Sequence, residues 1–331
     1  MIEAVDVWFS YRDKEILKGV NFKAEKGEVT VLMGKNGAGK TTFLMHINGL
    51  LKPKRGEIFI DGEKVHYDRK SISKVRRKVG FVFQNPDDQI IAPTVWQEVA
   101  FGPTNLGLNE EEVKKAVENS LKAVKLEGFE RKLCNELSGG EKKMLSIASV
   151  LAMDPDYVIF DEPTAGVDAI GFKAIVDIIK ELKSKGRGVI VSTHDFDLAN
   201  YVGDKFVFMN DGKVVFEGYE PDFTLAAEIG IRTFAYGKII IVPHTAKIPI
   251  SDDIDFVAAM GYKAKKRAAE EGINIDINSA VLERSILRAL EGHTVLLICS
   301  EEMIRTVKRE VAKYPVKVEE RKVEVYEVHK V

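Results

Sequence analysis

Three groups of residues in this chain have the types and spacing to handle a polyphosphate. The first runs Gly34-Lys35-Asn36-Gly37-Ala38-Gly39-Lys40-Thr41-Thr42 and follows the apolar stretch Val29 to Met33. Gly34, Gly37 and Gly39 lack a Cβ, so the backbone can curl with positive φ and turn successive N–H groups toward one anion. A helix beginning near Lys40 adds unpaired N–H groups and the positive end of its dipole. Lys40 then reaches the terminal phosphates as a point charge, and the Thr41 hydroxyl completes the oxygen shell of a magnesium ion. The whole stretch from Gly34 to Thr42 is expected to line the nucleotide.

The second group closes the apolar run Tyr157-Val-Ile-Phe with Asp161 and Glu162. Adjacent carboxylates at the C-terminal end of a buried strand lie where open parallel sheets hold ligands. Asp161 suits a magnesium shell, and Glu162 suits a general base that takes a proton from water attacking a terminal phosphate. The third group is Leu137-Ser138-Gly139-Gly140-Glu141. Ser138 with Glu141 fits a capping box, and the two glycines leave the helix start bare, which makes either a second anion-binding terminus or a plain cap. Three single residues join these groups. His194 ends the apolar run Gly188 to Thr193, where an imidazole could contact a terminal phosphate. Gln84 follows the run Val79 to Phe83. Tyr11, near the end of an early strand, is either an adenine-stacking face or an ordinary edge aromatic.

Strands and helices must position these residues. Ile2 to Phe9 and Ile16 to Ala24 read as strands with a turn at Ser10 to Asp13, and Gly56 to Gly62 reads as a strand closed by Asp61-Gly62. A helix over Glu110 to Leu126 is signalled by Asn109 and Glu112 as a capping pair and by Gly128 as its stop. Another, with Ile175, Ile178, Ile179 and Leu182 on its apolar side, ends at Gly186. Asn85 to Pro103 reads as a long irregular segment. Its Ile90, Ile91, Val95, Trp96 and Phe101 form either a satellite core or a groove for a partner.

Composition narrows the function. The 331 residues, 45% of them apolar, suffice for two domains with their own cores. With 49 basic residues against 51 acidic ones, the net charge of −2 supplies no global field for nucleic acid. Cys134 and Cys299 stand far apart and read as small buried hydrophobes. No apolar run reaches the length of a membrane span, so membrane association is expected to go through a partner. No Asn-Lys-x-Asp marks guanine recognition.

Tyr11, Gly34 to Thr42, Gln84, Leu137 to Glu141, Val158 to Glu162, Asp168 and His194 occur in an order and spacing that resemble the ATP-binding cassette (ABC) ATPases over residues 1 to about 220. The resemblance implies an α/β fold: a phosphate-loop core with an antiparallel β subdomain and a helical subdomain. It implies ATP and Mg2+ as cofactors, with Thr41, Gln84 and Asp161 at the metal and Lys40, Gln84, Glu162 and His194 in catalysis. It also implies a head-to-tail homodimer, in which Ser138, Gly139 and Gly140 of one copy close over ATP held by Lys40 of the other, with Tyr11 on the adenine and Asp168 near the seam.

The run Phe83-Gln-Asn-Pro-Asp-Asp-Gln-Ile-Ile-Ala-Pro-Thr-Val, with Val99 to Pro103, is similar to the ATPase subunit of energy-coupling factor importers of the cobalt and nickel type. That implies a transmembrane coupling subunit docked beside Gln84, a substrate-capture subunit, a metal ion or vitamin as cargo, and a peripheral place on the cytoplasmic face of the cell membrane. The alternative is a soluble cassette acting on nucleic acid or ribosomes, disfavoured by the single cassette and the lack of a basic stripe. Lys142-Lys143-Met144 departs from the family, which usually has glutamine and arginine there.

Residues 221–331 carry no motif. Their pattern predicts a small α/β domain, for dimerisation or regulation: a strand at Lys238 to Val242, helices near Val257 to Glu271, Ser279 to Leu290 and Glu301 to Tyr314, a strand at Thr294 to Cys299 and another at Val323 to Val328. His244, His293 and Cys299 lack the spacing of a metal site, and Lys263 to Arg267 reads as a solvated helix face.

Overall fold

A computed structural model describes residues 1–231, 238–246, 248, 254–277, 279–290, 293–311 and 317–320. The chain divides into two compact units, Met1–Arg232 and Thr233–Val331.

The first unit opens with a hairpin, β1 (Ile2–Tyr11) and β2 (Lys14–Ala24), followed by β3 (Val29–Met33) and α1 (Lys40–Ile47). β1 runs two residues past Phe9, because Arg12, at φ 51°, makes the reversal within a tighter turn than the sequence suggests. β4 (Arg55–Ile60) and β5 (Glu63–Lys64) complete an antiparallel sheet of order β2-β1-β4-β5. Then come α2 (Arg69–Lys78), β6 (Val79–Val82), α3 (Val95–Asn105), α4 (Glu110–Ala123), α5 (Gly139–Leu151), β7 (Tyr157–Asp161), α6 (Ala169–Ser184), β8 (Gly188–Thr193), α7 (Phe196–Val202), β9 (Lys205–Asn210), β10 (Lys213–Gly218) and α8 (Phe223–Glu228).

Three of these helices differ from what the sequence pattern predicts: α4 ends at Ala123 rather than Leu126, α2 is not marked by an apolar face, and α3 lies within the stretch expected to be irregular. α2 is capped by the Asp68 carboxylate and ends in Arg76, Arg77 and Lys78, a charge order that suits the helix dipole although only Val75 is buried. The stretch Asn85 to Pro103 is not irregular throughout: a 3₁₀ turn spans Pro86–Asp88, and α3 starts on a Thr94 cap. Pro103 lies inside α3, three residues from its C-terminal cap Leu106. The expected capping boxes at Asn109/Glu112 and Ser138/Glu141 are both present.

The second sheet has the order β10-β9-β3-β8-β7-β6, parallel except for the β9/β10 edge pair. Both of its faces are buried, which explains the nearly unbroken apolar strands. Val158, Phe160, Val189 and Val191 face a core built with α3 to α6, whereas Tyr157, Ile159 and Ile190 face a core shared with α1 and the antiparallel sheet. Each such fully buried side chain contributes about 1.5–3 kcal/mol.

Tyr157 also carries a polar contact at its tip. Its hydroxyl donates to Asp61 at 2.7 Å, which also accepts from Lys78 at 3.1 Å and meets the amino terminus at 3.2 Å. Partial burial alone would raise the Asp61 carboxyl, but these donors bring it from 3.8 down to about 2. A depressed folded value means stability that is present above the unfolded value and lost as pH falls toward the folded one. Asp61→Asn should therefore lower Tm at neutral pH, and its deficit against wild type should shrink as pH falls from about 4 to about 2; a deficit independent of pH would refute the assignment.

The second unit holds β11 (Lys238–Pro243), β12 (Phe256–Ala259), α9 (Tyr262–Glu270), α10 (Val281–Leu290), β13 (Val295–Cys299), α11 (Glu301–Val311) and β14 (Lys317–Glu320), with an all-parallel sheet of order β12-β13-β11-β14. Phe256 to Ala259 is a strand, not the start of a helix, because it pairs with Val295 to Ile298. The strand expected at Val323 to Val328 lies outside the described residues. Among the described residues no group of histidine, cysteine or acidic side chains could hold a metal ion by itself. Cys299 is buried, and its thiol is pushed up to about 11. In the Lys263 to Arg267 run, Lys266 and Arg267 pair with Glu270 and Glu271 on the same helix.

Candidate functional site

The strand order decides which residues meet. β3, β8, β7 and β6 are neighbours, so the segments leaving their C-terminal ends, at Gly34, His194, Asp161-Glu162 and Gln84, lie side by side at one edge of the sheet.

Gly39, at φ 101°, is the N-cap of α1, a conformation that disfavours any residue with a Cβ. At Gly34 a Cβ would stand 2.5 Å from the Met209 carbonyl oxygen, so packing as well as ligand approach requires glycine. Lys35, Asn36 and Gly37 form the exposed crest of the loop, while Ala38, Gly39 and Lys40 are buried beneath it. Thr42 is half-buried on the first turn of α1, where its carbonyl lies 2.7 Å from His46 Nδ1.

The Lys40 ammonium donates to the Gly34 carbonyl at 2.6 Å and lies 3.2 Å from Glu162 Oε1. That oxygen is buried and makes no hydrogen bond; it faces the ammonium as a bare charge. Glu162 Oε2 stands 2.8 Å from His194 Nδ1 and accepts the His194 backbone N–H at 3.3 Å. In that contact the carboxylate oxygen accepts and Nδ1–H donates, which places Nε2 on the far side of the half-exposed ring. Glu162 itself sits at φ 43°, in the left-handed region, at a cost of about 1–2 kcal/mol. Its N–H is held by Ser192, through the carbonyl at 3.0 Å and the hydroxyl at 3.3 Å. Backbone strain of this kind collects at functional sites.

Asp161 accepts from Thr41 Oγ1 at 2.8 Å and from Ser192 Oγ. Burial pushes its carboxyl above the usual range, and the adjacent Glu162 adds to this, against the hydrogen bonds from Ser192 and Thr41. A half-buried hydroxyl that donates to a buried carboxylate offers the hard oxygen donors that Mg2+ takes, and a cation there would remove the penalty on the ionised carboxylate. Likewise, the buried Glu162 carboxylate supplies the negative charge that a phosphate would bring to Lys40. The residues present therefore fit a magnesium polyphosphate.

The remaining sequence candidates are less tightly assembled. Tyr11 is exposed at the end of β1, edge-on to Phe9 at 4.9 Å between ring centroids. Gln84 is exposed, and the bond that anchors it is made by its carbonyl. Ser138, Gly139 and Gly140 are exposed, and a Cβ on either glycine would meet nothing within 4 Å. Asp168 caps α6 through the Gly171 N–H at 2.8 Å.

Two buried polar residues to which the sequence motifs assign no role touch the candidate residues. Ser192 ties Asp161 to Glu162, and Lys143 is 2% exposed, donating to the carbonyls of Gln84 and Phe83. Burial lowers Lys143 to about 8 despite the opposing field of Asp161 and Glu162. Ser192 has a signal, a polar residue at the end of the apolar run Val189 to Val191, whereas Lys143, which follows Glu141 and Lys142, has none.

A family model described as ABC transporter matches residues 17–165. A putative ABC transporter ATP-binding protein of Archaeoglobus fulgidus is 53% identical over 319 residues, covering 96% of this chain and 99% of its own. The chain belongs to the ABC transporter ATPases. The energy-coupling factor transporter ATP-binding protein EcfA of Methanocaldococcus jannaschii is 52% identical to this ABC ATPase over 219 residues, 66% of this chain and 78% of that one. Among solved structures, the dimeric ATP-binding cassette MJ0796 in a post-hydrolysis state bound to ADP and Pi matches with a TM-score of 0.61 and 32% identity, over 67% of this chain and all of that one. The ABC ATPase thus binds and hydrolyses ATP, and the strained Glu162 lies at the sheet edge beside the phosphate loop. Among the described residues, no helix of the ATPase is long and apolar enough to cross a membrane.

Proposed function

We propose that this ABC ATPase is the ATP-hydrolysing subunit of an energy-coupling-factor importer. It works as a head-to-tail pair of identical chains on the cytoplasmic face of the membrane. It drives uptake of cobalt, nickel or a vitamin through a separate coupling subunit that also engages a substrate-capture subunit. One observation carries the reading: the chain has two phosphate-ready features, and only one is furnished. The Lys40 loop already has its countercharge in Glu162, whereas the Ser138–Gly140 helix start is capped, open and exposed. The two belong to different packing neighbourhoods, α1 lying against β2 and β7 and α5 against α3, α4 and β6. A second chain turned end for end would bring each feature to the other's nucleotide.

In this reading the N–H groups of residues 34–39 and Lys40 hold the phosphates, Tyr11 stacks on adenine, and Thr41, Asp161 and Gln84 hold Mg2+, which neutralises charge on the phosphates. Glu162 takes the proton of the attacking water, and His194, oriented by Glu162, presents Nε2 toward the terminal phosphate. Catalysis belongs to the first unit; we assign dimerisation or regulation to the second.

The docking surface for the membrane subunit is the cavity of about 310 Å³ between residues 87–93 and Leu133–Asn135. Ile90 and Trp96 pack on the core, while Ile91, 68% exposed, and Phe101 face outward, so the apolar segment serves as both core and groove. The buried Glu98 carboxylate accepts the N–H groups of Ile91 and Ala92 at 2.9 and 2.8 Å and so fixes that loop. Ile91→Asp should leave basal ATP hydrolysis in solution within about twofold while reducing co-purification with an integral membrane partner by roughly tenfold or more. Undiminished membrane recovery, or recovery of the wild type only with nucleic acid, would refute the transport reading.

A further inference from the structure

Lys143 lies on the second turn of α5, and a lysine is rarely buried this completely without a task. Its ammonium donates to the Gln84 carbonyl at 2.6 Å and the Phe83 carbonyl at 3.1 Å. These are the residues at which the chain leaves the sheet edge. Other contacts bind the same segment to the same helix. Gln89 accepts from the Phe83 N–H at 3.0 Å and donates to the Ser146 carbonyl at 2.6 Å, and Lys142 reaches Asp87 at 2.7 Å. Among the described residues only Lys143, however, grips Gln84 itself, and it does so with a charged donor, the stronger kind.

We propose that Lys143 is a positioning residue for ATP hydrolysis: its buried ammonium fastens the Phe83-Gln84 main chain to the helix that starts at Ser138–Gly140, so that Gln84 and the serine-glycine turn hold one fixed spacing. The proposal rests on the assignment of both features to the nucleotide. Lys143 holds neither the phosphate loop nor Tyr11, so its loss slows turnover without weakening nucleotide capture.

The test compares Lys143→Met, which keeps length and loses the donor, with Lys143→Arg, which keeps charge and donors, in the full chain. Lys143→Met should lower kcat by roughly 10- to 100-fold while KM and the ATP dissociation constant stay within about threefold. Lys143→Arg should recover at least about a third of wild-type kcat. Amide hydrogen exchange over residues 84–92 should rise in the methionine variant and not in the arginine one. A methionine variant within about twofold of wild-type kcat, a parallel loss of ATP affinity, or a folded arginine variant as slow as the methionine one would each overturn the proposal. Should Lys143→Met fail to fold, Lys143→Gln takes its place under the same criteria. A wild-type chain without ATPase activity would instead refute the functional reading on which the proposal rests.

Discussion

Replacing Glu162 with glutamine should leave ATP bound and lower kcat by roughly 10²- to 10⁴-fold, the range of a lost general base. The substitution keeps the shape of the side chain and its unusual backbone angle, φ 43°. It also keeps a carbonyl oxygen able to accept from His194 Nδ1, now at 2.8 Å. What disappears is the negative charge that can take a proton from water. The Lys40 ammonium, 3.2 Å from Glu162 Oε1, loses its internal partner and gains reason to bind phosphate, so nucleotide affinity should hold or improve. The variant should accumulate as an ATP-bound dimer, detected by light scattering, with phosphate release reporting hydrolysis. Hydrolysis within about tenfold of wild type, or an active monomer, would remove Glu162 from the role of base.

Lys40→Ala should weaken ATP binding by roughly 10- to 150-fold and abolish turnover, because the lost contacts are charge-assisted and sit in a pocket where Lys40 is 6% exposed. The change also leaves the Glu162 carboxylate buried without a cation, so some loss of thermal stability should accompany it. Equilibrium binding of a fluorescent ATP analogue and phosphate release measure the two effects; unchanged hydrolysis would take the loop out of the mechanism. Mixing these chains with Ser138→Arg chains adds a test of shared sites. In a mixed pair, one site combines both lesions and the other combines both intact halves, so random pairing should restore about a quarter of wild-type activity if the sites act independently. No rescue in mixed dimers whose formation has been verified would count against composite sites.

Legibility from the sequence followed how local the cause was. The capping boxes at Asn109 and Ser138 and the phosphate loop are legible directly, because each depends on residues within a few positions and on backbone rules that hold in any fold, whereas the stop expected at Gly128 comes earlier: α4 ends at Ala123, and Lys125, at φ 61°, makes the left-handed turn. α3 was hidden because a proline within it and proline and aspartate before it look like loop, whereas Thr94 caps a helix that buries Val95 and Val99. Phe256 to Ala259 reads as helix in the sequence because four apolar residues before a helix share its composition; pairing with β13 makes them a strand.

The amino-acid sequence by itself determined the inventory: which residues can cradle phosphate, carry a metal or take a proton, and which segments are apolar enough to form a doubly covered sheet. Only the tertiary structure decided the triangle of Lys40, Glu162 and His194, the Ser192 bridge between Asp161 and Glu162, and the inward turn of Lys143. Those contacts join residues far apart in the chain, and they exist because parallel strands β3, β8, β7 and β6 take neighbouring places in one sheet. Strand order is set by long-range burial of two apolar faces, a global quantity that no window of sequence contains.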